Sequence, residues 1–175
     1  MDNCETTLVI KPNDMHKIKN QDFIFQELQR KVGGQCTTEH GYLIFIDIQK
    51  HFKETYEQIN NYSPAEVTEN GMVKITQKFT GVFFKPLVGQ VIDIMVDKCE
   101  DNGIHGRCGP ATVLIIRDNL SPEYQYDYND GTFKSGDQTI SRDDIIRIEV
   151  DSVTVNNQQM RIVGKMNDNY LGKEF

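Results

Sequence analysis

The residues of this 175-residue chain that could do chemistry are few and scattered. His16, His40 and His51 stand at no spacing that would pair them for a metal or a triad, so each reads as a surface histidine. Cys4, Cys36, Cys99 and Cys108 form no CxxC pair and no Cys/His zinc pattern. They read as free thiols in a reducing compartment. Asp143-Asp144 and Asp127…Asp130 have the oxygen chemistry of a hard-cation site, but lack the glycine geometry of an EF-hand loop and read as solvated loop carboxylates. Lys85, just before Pro86, could be a phosphate or catalytic lysine. The plainer reading is a boundary residue whose aliphatic stem packs while its amine reaches water. No Walker loop, GxSxG or HExxH occurs. The expectation is therefore a chain with no catalytic residue of its own, no cofactor and no metal.

Charge narrows the partners. The chain nets −7, unevenly spread. Residues 1–85 hold ten Lys+Arg against eleven Asp+Glu, and residues 86–175 hold nine against fifteen. Neither half has a basic run, which argues against indiscriminate phosphate binding as the main task. The composition, 38% apolar and 26% charged, is that of a soluble globular chain. Apolar runs such as Tyr42–Ile46 and Val113–Ile116 fall far short of the roughly 18 residues a membrane helix needs, so no membrane association is expected. The start, MDNCETTLVI, has no basic region or small-residue cleavage site, and no signal peptide is expected.

The elements that would position these residues centre on Val73–Gly89. Lys74, Thr76, Lys78 and Thr80 alternate with Val73, Ile75 and Phe79, a period of two that predicts a half-buried strand. At Val82-Phe83-Phe84 the alternation stops, which predicts burial on both faces. Lys85-Pro86 then ends the pairing, because proline has no amide hydrogen to give a ladder. Before this strand, Thr7–Ile10 reads as a short strand closed by Pro12, and Asn13 or Asp14 could cap a first helical turn. Asp22 opens a helix with Ile24, Leu28 and Val32 four apart, stopped by Gly33-Gly34. GYLIFIDIQ follows as a strand whose apolar density suggests a place mid-sheet. His51–Asn61 is more polar and ambiguous. Asn60–Asn70 is polar and exposed in this reading, with turn chemistry at Ser63-Pro64 and Asn70-Gly71. The first half is thus β-α-β followed by a long strand, a small α+β layer.

The second half changes character. Val91–Val96, Ile104–Cys108, Ala111–Ile116, Ile145–Val155 and Arg161–Gly164 are five strand candidates without a long amphipathic helix among them. Such a set predicts a small Greek-key barrel of the oligonucleotide/oligosaccharide-binding class. Between the third and fourth strands, SPEYQYDYNDGTFKSGDQ is polar and Tyr/Asp/Gly-rich, and is expected to be an exposed insertion loop.

The helix and Gly-Gly, Cys36, Gly41-Tyr42, VFFKPLVGQVID, Gly109-Pro110 and a final GKMNDNYLG keep one order along the chain. In this the chain resembles the stalk subunits of multisubunit DNA-directed RNA polymerases, the family of the seventh subunit of eukaryotic polymerase II and its archaeal counterpart, over about residues 7–172. The Asn- and Lys-rich composition leaves a viral or otherwise divergent homologue open.

The resemblance implies an N-terminal α+β domain of truncated ribonucleoprotein-like fold (residues 1–84) and an all-β S1-type OB barrel (residues 85–175). It implies docking to polymerase core subunits near the RNA exit channel, a small helical stalk partner, support of clamp position and initiation, and contact with nascent RNA. The core-docking tip would be Asn60, Asn61, Tyr62, Ser63 and Pro64. Val82, Phe83, Phe84, Lys85, Pro86 and Gly89 would form the seam between domains. Location would be nuclear for a eukaryotic cell, cytoplasmic or in the virion for a large DNA virus, and cytoplasmic for an archaeon.

The resemblance also shows a departure. S1 barrels that bind RNA stack bases on second-strand aromatics and use a third-strand histidine. Here Asn102 stands at the first aromatic, His105 near the second, and Leu114 at the histidine. His105, Arg107, Arg117 and Arg161 remain as weak RNA contacts, set against Asp93, Asp97, Glu100, Asp101, Glu149 and Asp151. The alternative is a free-standing S1-type RNA-binding or translation-associated protein, which would need a basic, aromatic face.

Overall fold

The computed structural model describes residues 2–47, 65–136, 138–168 and 170–173. It divides into two compact units. One comprises Met1–Gln35 and Glu39–Phe84; the other comprises Cys36–Thr38 and Lys85–Phe175.

The first unit is built on one long strand. In chain order it holds β1 (Asp2–Ile10), a 3-10 turn at Pro12–Lys17, α1 (Gln21–Val32), β3 (Gly41–Ile46), β4 (Ala65–Val67) and β5 (Val73–Phe84); the two-residue β2 (Cys36–Thr37) belongs to the other unit. β1 runs antiparallel to β5 from Asp2↔Gly81 to Ile10↔Val73. β3 and β4 pair with the two ends of β5, at Tyr42↔Phe84 and Ala65↔Ile75.

Helix α1 closes one face of this sheet. Its cap is Asn20, not Asp22: the Asn20 side chain accepts the Asp22 amide at 2.9 Å, satisfying one of the free N-terminal donors. The four-residue spacing of Ile24, Leu28 and Val32 does set the buried stripe, which packs with Leu8, Ile10, Leu43, Ile46 and Phe79. Burying each such side chain contributes about 1.5–3 kcal/mol. Pro12–Lys17 forms its turn without a side-chain cap.

Two expectations for this sheet are corrected. Val82, Phe83 and Phe84 are half-buried rather than covered on both faces, while Thr80, expected outside, is fully buried. β3 is an interior strand of its sheet, as its apolar density suggests, yet Ile44 and Phe45 are each 54% exposed. The cause is a bulge. Leu43 faces Phe83 and Phe45 faces Val82, so Ile44 is an extra residue on β3. An inserted residue breaks the alternation and turns two consecutive side chains outward.

The second unit contains a closed five-strand barrel. β6 (Val91–Glu100), β7 (Gly103–Cys108) and β8 (Ala111–Ile116) form an antiparallel meander. β12 (Ile145–Asn156) pairs with β6 on one side and β13 (Gln159–Lys165) on the other. β13 closes the barrel by lying parallel to β8, Ile162 opposite Val113. That order is the Greek-key barrel expected from the five strand candidates. Alternate residues fill it, among them Ile94, Val96, Ile104, Val113, Ile115, Ile146, Ile148 and Ile162, each 2% exposed or less. Gly164 leaves the room this closure needs: a Cβ there would stand 2.5 Å from Ile148 Cδ1.

The stretch expected to be an exposed loop is instead a second small sheet. After a 3-10 turn at Arg117–Asn119, β9 (Gln125–Asp127), β10 (Thr132–Ser135) and β11 (Gln138–Ile140) make an antiparallel meander, with β10 central. Phe133 and Ile140 have no exposed surface. Cys99 Sγ on β6 donates to the Ile140 carbonyl at 3.7 Å, and the Tyr126 hydroxyl donates to Cys99 O at 3.5 Å. The polar composition of the segment had concealed these anchors. β14 (Gly172–Lys173) ends the described chain against β12. No helix among the described residues is long and apolar enough to cross a membrane.

Candidate nucleic-acid interface

The barrel's register arranges the candidate cations. Arg107 on β7, Thr112 on β8 and Arg161 on β13 are successive partners, forming one exposed row. The next row is Lys98, His105, Leu114 and Val163. Arg117 lies past the end of β8, where its amide donates to Asn102 O at 3.0 Å across the β6–β7 turn. The structure thus places His105, Arg107 and Arg161 on one face and Arg117 at its edge.

Most of that positive charge is already paired. Arg107 lies 3.5 Å from Asp97, Arg117 lies 2.6 Å from Asp101, and His105 Nε2 lies 3.4 Å from Glu100. Lys98 also reaches Glu100, at 2.5 Å, and its hydrogen bond holds that carboxyl below the usual range. Arg161 has no ion pair among the described residues. These exposed pairs are each worth little to stability. Their effect is on the field: a phosphate approaching this face meets carboxylates beside nearly every cation.

The aromatics lie elsewhere than on β7 and β8. Tyr126 packs on Phe133 with ring centres 5.2 Å apart, and Tyr128 meets Tyr126 edge-on at 5.0 Å. Tyr128 is 75% exposed. Asp101 near its hydroxyl pushes its pKa up. Sequence reasoning missed this pair, because nothing in the local pattern shows that the inserted segment returns to the β6–β7 turn. Nearby, Lys134 bridges Asp127 at 2.7 Å and Asp130 at 2.6 Å. Those hydrogen bonds raise the lysine pKa and lower that of Asp127.

The other candidates divide. Asn60, Asn61, Tyr62, Ser63 and Pro64 lie outside the described residues, as does His51. Of the seam set, Lys85 is exposed and Pro86 buried. Gly89 takes φ +80 and donates its amide to Val150 O at 2.8 Å. His40 is half-buried, its ring 5.5 Å from that of Phe83. Among the described residues no group of His, Cys, Asp and Glu could hold a metal ion.

No protein-family model matches the chain. Curated relatives do. DNA-directed RNA polymerase II subunit rpb7 of Dictyostelium discoideum is 25% identical over 152 residues, 84% of this chain and 83% of the relative. The same subunit of Saccharomyces cerevisiae is 23% identical over 155 residues, and that of Schizosaccharomyces pombe 23% over 160, each covering 87% of this chain and 86% of the relative. Similarity of that extent reaches into both units. Over most of its length the chain is therefore similar to subunit 7 of RNA polymerase II, the stalk-subunit family of DNA-directed RNA polymerases that its sequence resembles.

Proposed function

We propose that the chain is a non-catalytic stalk subunit of a DNA-dependent RNA polymerase. One observation carries this: relatives named as polymerase II subunits match more than four fifths of both chains, across the barrel and the unit before it. In this reading the first unit, a truncated ribonucleoprotein-like fold, docks to core subunits through its tip at Asn60–Pro64, near the RNA exit channel. Val82 to Gly89 lead from it into an S1-type barrel. The subunit, with a small helical partner, supports clamp position and initiation. The barrel gives nascent RNA a weak contact surface at His105, Arg107, Arg117 and Arg161, and a eukaryotic cell would hold the protein in its nucleus.

Two physical features support the reading. Ile44 and Phe45 are 54% exposed and Val67 is 71% exposed, apolar surface that an assembled subunit can bury. The paired cations of the barrel suit a subunit held in place by protein contacts better than a free RNA binder. The test is affinity purification of the tagged chain from its native source at gentle salt. Co-elution of the large polymerase subunits is expected. Migration of the chain alone refutes the assignment.

A further inference from the structure

We infer that Tyr128 is a stacking platform for an unpaired base of single-stranded RNA, placed at the barrel's ligand face by the inserted sheet. The inference rests on the reading of this barrel as an RNA-contacting surface and specifies where the base goes.

Barrels of this class receive oligonucleotides across their second and third strands and the loop between the first and second. Here those are β7, β8 and the Asp101-Asn102 turn. Single-strand binding depends on aromatic rings, which stack any base without reading it. β7 (GIHGRC), β8 (ATVLII) and the turn hold no Phe, Tyr or Trp. The inserted sheet supplies what they lack. The Tyr128 hydroxyl lies near Asp101 at the turn itself, whose carboxylate pushes its pKa up, and Asp101 binds Arg117 at 2.6 Å. Tyr126 holds the ring edge-on and is itself backed by Phe133 in the core.

This ring is at once exposed and fixed. An exposed tyrosine normally loses rotamer freedom when it binds; one packed edge-on against Tyr126 has lost part of it already. Beside it, Tyr126, Tyr128, Gln125, Asn129 and Lys134 line a depression of about 580 Å³. Charge sets the character of the contact. Lys134 is committed to Asp127 and Asp130, and Arg117 to Asp101, so few cations are free to displace counterions. Affinity from stacking rather than phosphate contact predicts a shallow dependence on salt.

The test is fluorescence anisotropy of the full chain with a labelled oligouridylate of about twelve nucleotides, within the span such barrels cover, across a salt series. Tyr128→Ala, Tyr128→Phe and Arg161→Ala are compared, with melting curves confirming that each folds. Loss of one stacked base weakens binding about fivefold or more. That loss is expected for Tyr128→Ala, with Tyr128→Phe close to the parent and a shallow salt slope throughout. If Tyr128→Ala binds like the parent while Arg161→Ala weakens, the platform is refuted and the barrel face survives as an RNA surface. If Tyr128→Phe loses as much as Tyr128→Ala, the hydroxyl rather than the ring matters, and the platform is again refuted. No binding by the parent chain overturns both readings.

Discussion

Phe133→Ala should destabilise the barrel unit strongly, although the residue lies in a segment of loop-like composition. The ring has no exposed surface, sits at the centre of the three-stranded insert and packs on Tyr126. Truncating a fully buried phenylalanine costs about 3–5 kcal/mol, through lost transfer energy and the cavity left behind. At about 2 kcal/mol per molar urea, a loss of about 4 kcal/mol moves the midpoint by about 2 M. The insert is bonded to β6 through Cys99–Ile140 and Tyr126–Cys99, so the loss should register in the main transition. Urea titration by circular dichroism suits a chain without tryptophan, and amide exchange over residues 125–140 adds local resolution. A midpoint shifted by less than about 0.3 M, with exchange in the insert unchanged, would refute the view that this sheet is a folded, anchored part of the unit.

Three further predictions follow the same logic. Phe83→Ala should cost about 1.5–2.5 kcal/mol, roughly half the fully buried figure, because the ring is half-buried; a urea-derived loss of about 4 kcal/mol or more would contradict that burial. Gln158→Gly should raise the melting temperature by a few degrees: Asn157 and Gln158 take φ of 49° and 64° in the two-residue turn joining β12 to β13, and glycine relieves about 1 kcal/mol there. The Asp144 carboxyl is raised by burial, but hydrogen bonds from Lys173 and Ser141 outweigh this and hold it below its ordinary 3.8. A depressed folded value gives stability that is complete above the unfolded pKa and is lost as pH falls through the folded one. Acid unfolding below about pH 4 should therefore be shallower in Asp144→Asn, as followed by circular dichroism.

Where periodicity carried the information, the fold was legible. The four-residue spacing of Ile24, Leu28 and Val32 named the buried face of α1, and alternation located all five barrel strands within a few residues. What escaped was set by pairing between distant segments. The bulge at Ile44 depends on how β3 meets β5, so the GYLIFI run alone could not show that Ile44 and Phe45 point outward. The insert escaped for a related reason: Phe133 and Ile140 are two apolar residues among many polar ones, and only docking on β6 turns them into a core. At the candidate interface, the cations were visible as residues but their neutralisation was not. Asp97, Glu100 and Asp101 become partners of Arg107, His105 and Arg117 only when the β6–β7 hairpin forms.

The parallel pairing of β8 with β13 also orders events in time. β6, β7 and β8 can zip as soon as residues 91–116 are available, since each turn is short. The barrel cannot shut until β13 emerges, more than forty residues later. Until then β8 offers an open edge carrying Val113 and Ile115, a template for pairing with other chains. Docking of the insert on β6 through Cys99–Ile140 shortens the span to be closed, and just beyond the insert Asp143 N and Asp144 O both bond Val96 on β6 and bring the start of β12 to its partner. Each halving of an open loop lowers its closure cost by about 0.6 kcal/mol. A chain arrested during synthesis before Gln159 would thus present a half-built, adhesive barrel, and the insert acts as the clasp that keeps this interval brief.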